Sequence, residues 1–90
     1  MISIITVVFN SEKLIEKTIQ SVINQSYKDF EYIIIDGGST DGTTEIIKEY
    51  SDHIAFWSSK PDLGISDAFN KGISKATGGL IGIINAGDIL

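Results

Sequence analysis

The chain has 90 residues, of which 42% are hydrophobic and 21% are charged, with no Cys and one His. This composition is typical of one small folded domain, and it excludes a disulfide framework, a Cys-based zinc site and a His-rich metal site. The net charge of −5, without any basic block, excludes a nucleic-acid-binding surface. Because no apolar run reaches the roughly 18 residues of a bilayer span, the sequence predicts a cytoplasmic protein.

The first two elements in chain order are a strand and a helix. Residues 2–9 are mostly β-branched and lack polar alternation, which is typical of a strand buried on both faces. Apolar residues then recur at spacings of three and four from Leu14 to Ile23, which predicts a helix that faces a sheet. Asn10 or Ser11 is expected to cap this helix with its side chain.

Three more strands alternate with two more helices. The strands are predicted from the apolar runs 30–35, 54–57 and 80–84. A short helix capped by Thr40 or Asp41 follows the second strand, and a helix at about 66–76, with Ile65, Phe69 and Ile73 on one face, follows the third. The order β-α-β-α-β-α-β predicts an α/β fold of three layers, in which helices cover both faces of a parallel sheet.

Polar loops follow the strands where an open parallel sheet binds its ligands. Asp36 could accept a hydrogen bond from a ligand, or it could serve an ordinary turn by accepting hydrogen bonds from nearby backbone N–H groups. Asp41 is expected to be structural, as a helix cap. Phe9 could stack on a base or pack in the core. Asp88 could be a plain loop acid, or it could hold Mg²⁺ or Mn²⁺ on a diphosphate, because such ions need only one or two protein carboxylates.

Five segments, taken in order, resemble the nucleotide-binding half of the family 2 glycosyltransferases, which have the GT-A fold. The segments are residues 3–10, 21–25, 36–43, 59–72 and 77–88. The resemblance covers nearly the whole chain, and a subset of the family linked to bacterial surface-polysaccharide synthesis has similar patterns. It implies one domain over residues 1–90, a Rossmann-like half of a GT-A fold. We expect the chain to be a fragment that continues beyond the Asp88 motif.

The resemblance also implies roles for individual residues. Val7 and Phe9 would border the base of a nucleotide-sugar, and Asp36 would accept a hydrogen bond from the uracil ring N–H. Asp67 and Asn85 would belong to the same donor site. Asp88 would hold Mn²⁺ or Mg²⁺ on the diphosphate.

Two departures from the family pattern concern acids near these positions. Gly37 stands where many members have a second acid in the loop after strand two, and Gly87 replaces a carboxylate that would contact ribose or metal. No catalytic residue is assigned, because the general base is expected beyond Leu90. The 90-residue segment alone is therefore predicted to bind donor without efficient transfer.

The implied function is inverting transfer of a sugar from a nucleotide-diphospho-sugar, with UDP as the expected nucleotide, to a hydroxyl of a glycan or lipid-linked acceptor. Transfer would take place in the cytoplasm or at the inner face of the membrane. The alternative is a non-catalytic nucleotide-binding or scaffolding module. A flavodoxin-like or receiver-like domain is disfavoured because the first strand ends in Phe9-Asn10, without an acid. An unfinished sheet with apolar helix faces also predicts self-association.

Overall fold

The computed structural model describes residues 2–24, 29–61, 70, 72–76 and 79–85, with the backbone alone at residues 80 and 83–85. The elements in this part of the chain are β1 (Ile2–Val8), α1 (Glu12–Ile23), β2 (Phe30–Asp36), α2 (Thr43–Glu49), a 3₁₀ turn (Ser51–His53), β3 (Phe56–Ser59) and β4 (Leu80–Asn85). Residues 70 and 72–75 are helical and belong to the predicted third helix. Ile65 and Phe69, predicted on one face of that helix, lie outside the described residues.

The four strands form one parallel sheet in the order β3-β2-β1-β4. The sheet places the last residues of the strands along one edge, since Val8 lies opposite Asp36, Asp36 opposite Ser59, and Val7 opposite Asn85. The chain adds β2 and β3 on one side of β1 and then crosses to add β4 on the other. This reversal between β1 and β4 is where open α/β sheets form their ligand crevice.

One face of the sheet is covered by α1 and α2. Ile15, Ile19 and Val22 of the predicted apolar stripe of α1 are buried and pack with Ile47 of α2 against β1 and β2, whereas Leu14 is 47% exposed. The buried members of this cluster are Ile4, Val8, Ile15, Ile19, Val22, Tyr32, Ile34, Ile47 and Ile54. Because side chains alternate along a strand, the residues between them in β1 and β2 face the opposite side.

The opposite face carries the helical segment at residues 72–75. Ile5, Ile33 and Ile35 form its core with Ala76 against them, so the predicted three-layer α/β arrangement is confirmed. Gly72 is buried, and a Cβ atom built there would lie 2.6 Å from Cγ2 of Ile5. The expectation that Ile73 faces inward is wrong, since its side chain is 44% exposed. Gly72 and Ala76, one turn apart, face the sheet instead and permit a close approach.

Some strand boundaries differ from the prediction by one or two residues. The third strand begins at Phe56 and not at Ile54, because a 3₁₀ turn at Ser51–His53 delays the extended chain. Ile54 is only 9% exposed although it precedes the strand, so its apolar character reflects burial and not pairing. The first strand ends at Val8, one residue before Phe9.

Across the described ranges, no helix combines the length and the apolar character needed to cross a membrane. The cytoplasmic location stays a prediction.

Candidate functional site at the carboxyl ends of the strands

Phe9 and Asn10 form the loop at the end of the central strand. Phe9 is 58% exposed, so the alternative that it packs in the core is wrong. Asn10 has φ +47°, in the left-handed region that Asn tolerates better than most residues. Val7 is half-buried and packs against the cluster formed by Ile5, Ile33 and Ile35. The end of β1 therefore presents an aromatic side chain to solvent beside a rigid strand.

Two hydrogen bonds fasten this loop to the loop after β2. The backbone N–H of Asn10 donates to Oγ of Ser39 over 2.7 Å. In return, the backbone N–H of Thr40 donates to Oδ1 of Asn10 over 2.8 Å. The sequence analysis missed both Asn10 and Ser39 as site residues. A signal was available, since Asn and Ser directly after strands often hydrogen-bond local backbone.

Asp36 is the last residue of β2, and its side chain is 0% exposed. The carboxylate accepts hydrogen bonds from the backbone N–H groups of Gly38 and Ser39, at 3.2 and 2.8 Å. It also accepts from the hydroxyl of Ser39 and, over 2.7 Å, from the hydroxyl of Ser59. These four donors equal the roughly four lone-pair sites of a carboxylate. Asp36 therefore accepts hydrogen bonds from nearby backbone N–H groups in a turn, which is one of the two roles that the sequence left open.

The predicted contact between Asp36 and a uracil N–H stays a prediction. In the structure, a ligand N–H could reach this carboxylate only by replacing one of its four present donors. The hydroxyls of Ser39 and Ser59 are the replaceable ones, because a hydroxyl can rotate whereas a backbone N–H is fixed.

The loops after β2 and β3 also lie close together. Gly38 has φ +89°, and a Cβ atom built there would lie 3.0 Å from the backbone nitrogen of Pro61. The backbone N–H of Lys60 donates to the carbonyl of Asp36 over 3.1 Å. A side chain at position 38 would be both strained and crowded, so glycine suits this crossing of two loops.

Asp41 is structural, but the expectation that Thr40 or Asp41 is the cap of α2 is wrong, because Gly42 occupies the N-cap position without a side-chain cap. One carboxylate oxygen accepts from the backbone N–H of Thr43 over 3.0 Å, and the other accepts from that of Glu12 over 3.3 Å. The hydroxyl of Thr43 also donates to Asp41, and this bond is the main cause that lowers the pKa of Asp41. Asp41 thus accepts hydrogen bonds from the first residues of both α1 and α2.

The expectation that a side chain of Asn10 or Ser11 caps α1 is wrong. Ser11 occupies the N-cap position without a side-chain cap, and its hydroxyl donates to the carbonyl of Phe9 over 3.0 Å. Its own backbone N–H donates to Oγ1 of Thr43 over 2.9 Å. The backbone N–H groups of Ser11 and Glu12 find their acceptors in Thr43 and Asp41, which are distant in the chain, so local sequence does not reveal them.

The remaining predicted residues are placed only in part. The backbone of Asn85 ends β4 opposite Val7, at the same edge as Phe9 and Asp36, but its side chain lies outside the described residues. Asp67 and Asp88 also lie outside them. Among the residues that the structure describes, no group of three His, Asp or Glu side chains could hold a metal ion. That Asp88 holds a divalent cation stays a prediction.

The chain belongs to glycosyl transferase family 2, whose family model matches residues 3–90. An uncharacterized glycosyltransferase of Mycobacterium tuberculosis is 38% identical over 88 residues, which cover 97% of this chain and 34% of that protein. A putative teichuronic acid biosynthesis glycosyltransferase of Bacillus subtilis is 32% identical over 98% of this chain and 36% of its own length. The chain thus spans about a third of the length of these two relatives.

Solved structures of glycosyltransferases share the fold. A mannosyltransferase from Pyrobaculum calidifontis, in complex with GDP-Man and Mn²⁺, superposes with a TM-score of 0.89 at 24% identity over 98% of this chain and 28% of its own. Glucosyl-3-phosphoglycerate synthase from Mycobacterium tuberculosis, in complex with Mn²⁺, UDP and glucosyl-3-phosphoglycerate, gives 0.77 at 25% identity over 96% of this chain and 33% of its own. The predicted GT-A relationship is confirmed.

Proposed function

We propose that this chain is the donor-binding part of an inverting glycosyltransferase that uses a nucleotide-diphospho-sugar, with UDP as the nucleotide. The observation that carries the proposal is the sheet edge at which Val7, Phe9, Asp36 and the end of β4 come together in a family 2 glycosyltransferase domain. Support for a nucleotide diphosphate comes from the two solved neighbours, which contain GDP-Man or UDP together with Mn²⁺.

The base would bind at the end of β1. Phe9 offers an exposed ring of the kind on which bases stack, and stacking contributes about 1–3 kcal/mol per base. Val7 lies beside it on the rigid central strand. Asp36 supports the same end of the site from beneath the surface, and Asp67 and Asn85 complete the donor contacts in this proposal.

A divalent cation, Mn²⁺ or Mg²⁺, would be held by Asp88 and by the diphosphate itself. Such a cation supplies neutralisation of the charge that develops on the diphosphate leaving group. A cation would offset the negative charge of the diphosphate in a chain that itself carries a net charge of −5. One carboxylate suffices, because phosphate oxygens and water complete the shell of a hard cation.

The reaction would be a single displacement. The hydroxyl of a glycan or lipid-linked acceptor attacks the anomeric carbon, the bond to the diphosphate breaks, and the configuration inverts. The hydroxyl proton passes to a general base, which the proposal places beyond Leu90. The named role of the teichuronic acid relative supports an acceptor in bacterial surface-polysaccharide synthesis.

A nucleotide titration followed by NMR tests the proposed base site. UDP added to the ¹⁵N-labelled chain with the diamagnetic cation Mg²⁺ is expected to shift the backbone amides of Val7, Phe9 and Asn85. The amides of Lys48 and Asp52, in α2 and the 3₁₀ turn, are expected to stay unchanged. Shifts confined to regions away from the carboxyl ends of the strands, or none at millimolar UDP, would contradict the proposal.

A variant pair tests the role of the aromatic side chain. Phe9→Ala is expected to weaken UDP binding about tenfold, through lost stacking. Ile73→Ala is the matched control, because Ile73 is also a large exposed apolar residue but belongs to the third helix. Equal affinities of both variants and the wild type would remove Phe9 from the site.

A further inference from the structure

We propose that Asp36 is a positioning residue, whose buried carboxylate holds Phe9 in place through Ser39 and Asn10. This inference rests on the proposed donor site and deepens it, because it assigns how the base-binding end is kept in shape. It also gives Asp36 a role that its burial permits, since the carboxylate is 0% exposed and fully bonded within the chain.

The connection runs through a single hydroxyl group. Ser39 donates its hydroxyl proton to Asp36, and the same oxygen accepts the backbone N–H of Asn10 over 2.7 Å. A hydroxyl can do both, because it has one proton and two lone pairs. With its proton committed to a carboxylate, the oxygen of Ser39 is left to act as an acceptor, and the bond that it makes to the carboxylate is of the stronger, charge-assisted kind.

The loop at Phe9 and Asn10 depends on its hydrogen bonds with the loop after β2. Asn10 has φ +47°, a conformation that a residue other than glycine keeps only where its surroundings hold it. The bonds to Ser39 and from the backbone N–H of Thr40 are those surroundings. Phe9 precedes this turn directly and is held out of the core at 58% exposure. Without the support, we expect the Phe9 ring to sample many positions and to lose its preorganisation for a base.

The same carboxylate ties a third strand into the arrangement. Ser59, the last residue of β3, donates its hydroxyl to Asp36 over 2.7 Å. Hydrogen bonds that meet at the buried carboxyl group of Asp36 and at Ser39 therefore join the loops after β1 and β2 to the end of β3. A ligand N–H that took the place of either serine hydroxyl would leave that hydroxyl without its present partner, which has a free-energy cost. Positioning through Ser39 carries no such cost.

The test is a double-mutant cycle between Ser39 and Phe9, read as the calorimetric Kd for UDP in the presence of Mn²⁺. Ser39→Ala keeps the Asp36 side chain but removes the connection to Asn10, and we expect it to raise Kd about three- to tenfold, the effect of one hydrogen bond. In the Phe9→Ala background, Ser39→Ala is expected to have no further effect, because its influence passes through that ring. Ser39→Thr keeps the hydroxyl and is expected to restore the wild-type Kd.

Two controls separate positioning from damage to the fold. Ser51→Ala removes an exposed hydroxyl from the 3₁₀ turn before β3, away from the carboxyl ends of the strands, and is expected to leave Kd unchanged. Hydrogen exchange of the Asn10 amide is expected to accelerate in Ser39→Ala, whereas the core amides of β2 keep their protection. A general loss of protection in β2 would identify Ser39 as structural only and would overturn the inference.

The remaining outcomes distinguish this inference from the proposed function. If the wild type binds UDP and Ser39→Ala binds it as well or better, the freed carboxylate contacts the base directly and the inference fails while the donor site stands. Additive effects of Ser39→Ala and Phe9→Ala overturn it equally. If the wild type shows no affinity for UDP, the proposed function itself fails and the inference fails with it.

Discussion

Tyr32 and Thr6 illustrate how a single buried hydrogen bond controls stability. Their hydroxyls lie 2.8 Å apart between β1 and β2, and both residues are almost completely buried. Tyr32→Phe leaves the hydroxyl of Thr6 without this partner, so we expect the free energy of unfolding to fall by about 1–3 kcal/mol in urea titrations. The double variant Tyr32→Phe/Thr6→Val is expected to regain part of the loss. Equal or greater destabilisation in the double variant would contradict this account.

Tyr32 also gives the stability an alkaline limit. Burial raises its pKa from 10.0 to about 12, with the hydrogen bond to Thr6 acting against that shift. The unfolded state ionises first, so the stabilisation is complete below pH 10 and is lost as the pH rises toward 12. We expect a loss of about 1 kcal/mol between pH 9 and pH 11 that is absent in Tyr32→Phe. The same alkaline loss in both proteins would contradict the assignment to Tyr32.

Asp41 is expected to set an acid limit in the opposite direction. The hydrogen bond from the hydroxyl of Thr43 is the main cause that lowers its pKa below the ordinary aspartate value of 3.8. Its stabilising effect is present above that value and is lost as the pH falls through the lowered pKa. Asp41→Asn is expected to reduce the stability at pH 6 and to flatten the fall toward pH 2. An unchanged acid profile in this variant would show that other carboxylates set the limit.

Individual site residues could be predicted only where the local sequence carries the signal. The polar loops after buried strands identified Asp36 and Phe9, because strand ends and their turn residues are visible in a linear pattern. The partners Ser39 and Ser59 are separated from Asp36 by 3 and 23 positions. Whether a carboxylate faces a ligand or its own chain depends on such tertiary donors, and one sequence does not specify them.

At the scale of elements, the third helix depends on a glycine at its contact with the sheet. A Cβ atom at position 72 would lie 2.6 Å from Cγ2 of Ile5, within the core. Gly72→Ala is therefore expected to destabilise the fold by about 1–3 kcal/mol through overpacking, although alanine favours helices. Gly79→Ala is the matched control, because a Cβ atom there has no neighbour within 4 Å. A melting temperature that rises in Gly72→Ala would contradict the close contact.

The elements themselves were predictable where burial and periodicity agree. The regular spacing of apolar residues from Leu14 to Ile23 predicted which side of α1 is buried. Ile15, Ile19 and Val22 lie on that side, because its contacts follow the helical period. Two apolar residues did not follow the prediction. Ile54 is buried although it lies outside a strand, and Ile73 is exposed although it lies on a helix. Within residues 72–76, Gly72 and Ala76 face the sheet and Ile73 does not, and a hydrophobicity pattern misses this kind of packing.

At the scale of the whole molecule, exposed apolar side chains lie on the face that carries the third helix. Ile73 and Ile81 are 44% and 46% exposed. We expect the 90-residue chain to self-associate, so that its mass by light scattering rises with concentration, and Ile81→Lys is expected to reduce this rise. A concentration-independent mass of 9.8 kDa would contradict the prediction.

The most direct measurement for the donor site is calorimetry of UDP binding with and without Mn²⁺, in the wild type, in Asp88→Ala and in Asp52→Ala. Asp52 is the matched control, an exposed acid in the 3₁₀ turn before β3. The account predicts that Mn²⁺ strengthens UDP binding in the wild type and in Asp52→Ala, and that Asp88→Ala loses this gain. Equal UDP affinity with and without Mn²⁺, or a full metal-dependent gain in Asp88→Ala, would contradict it.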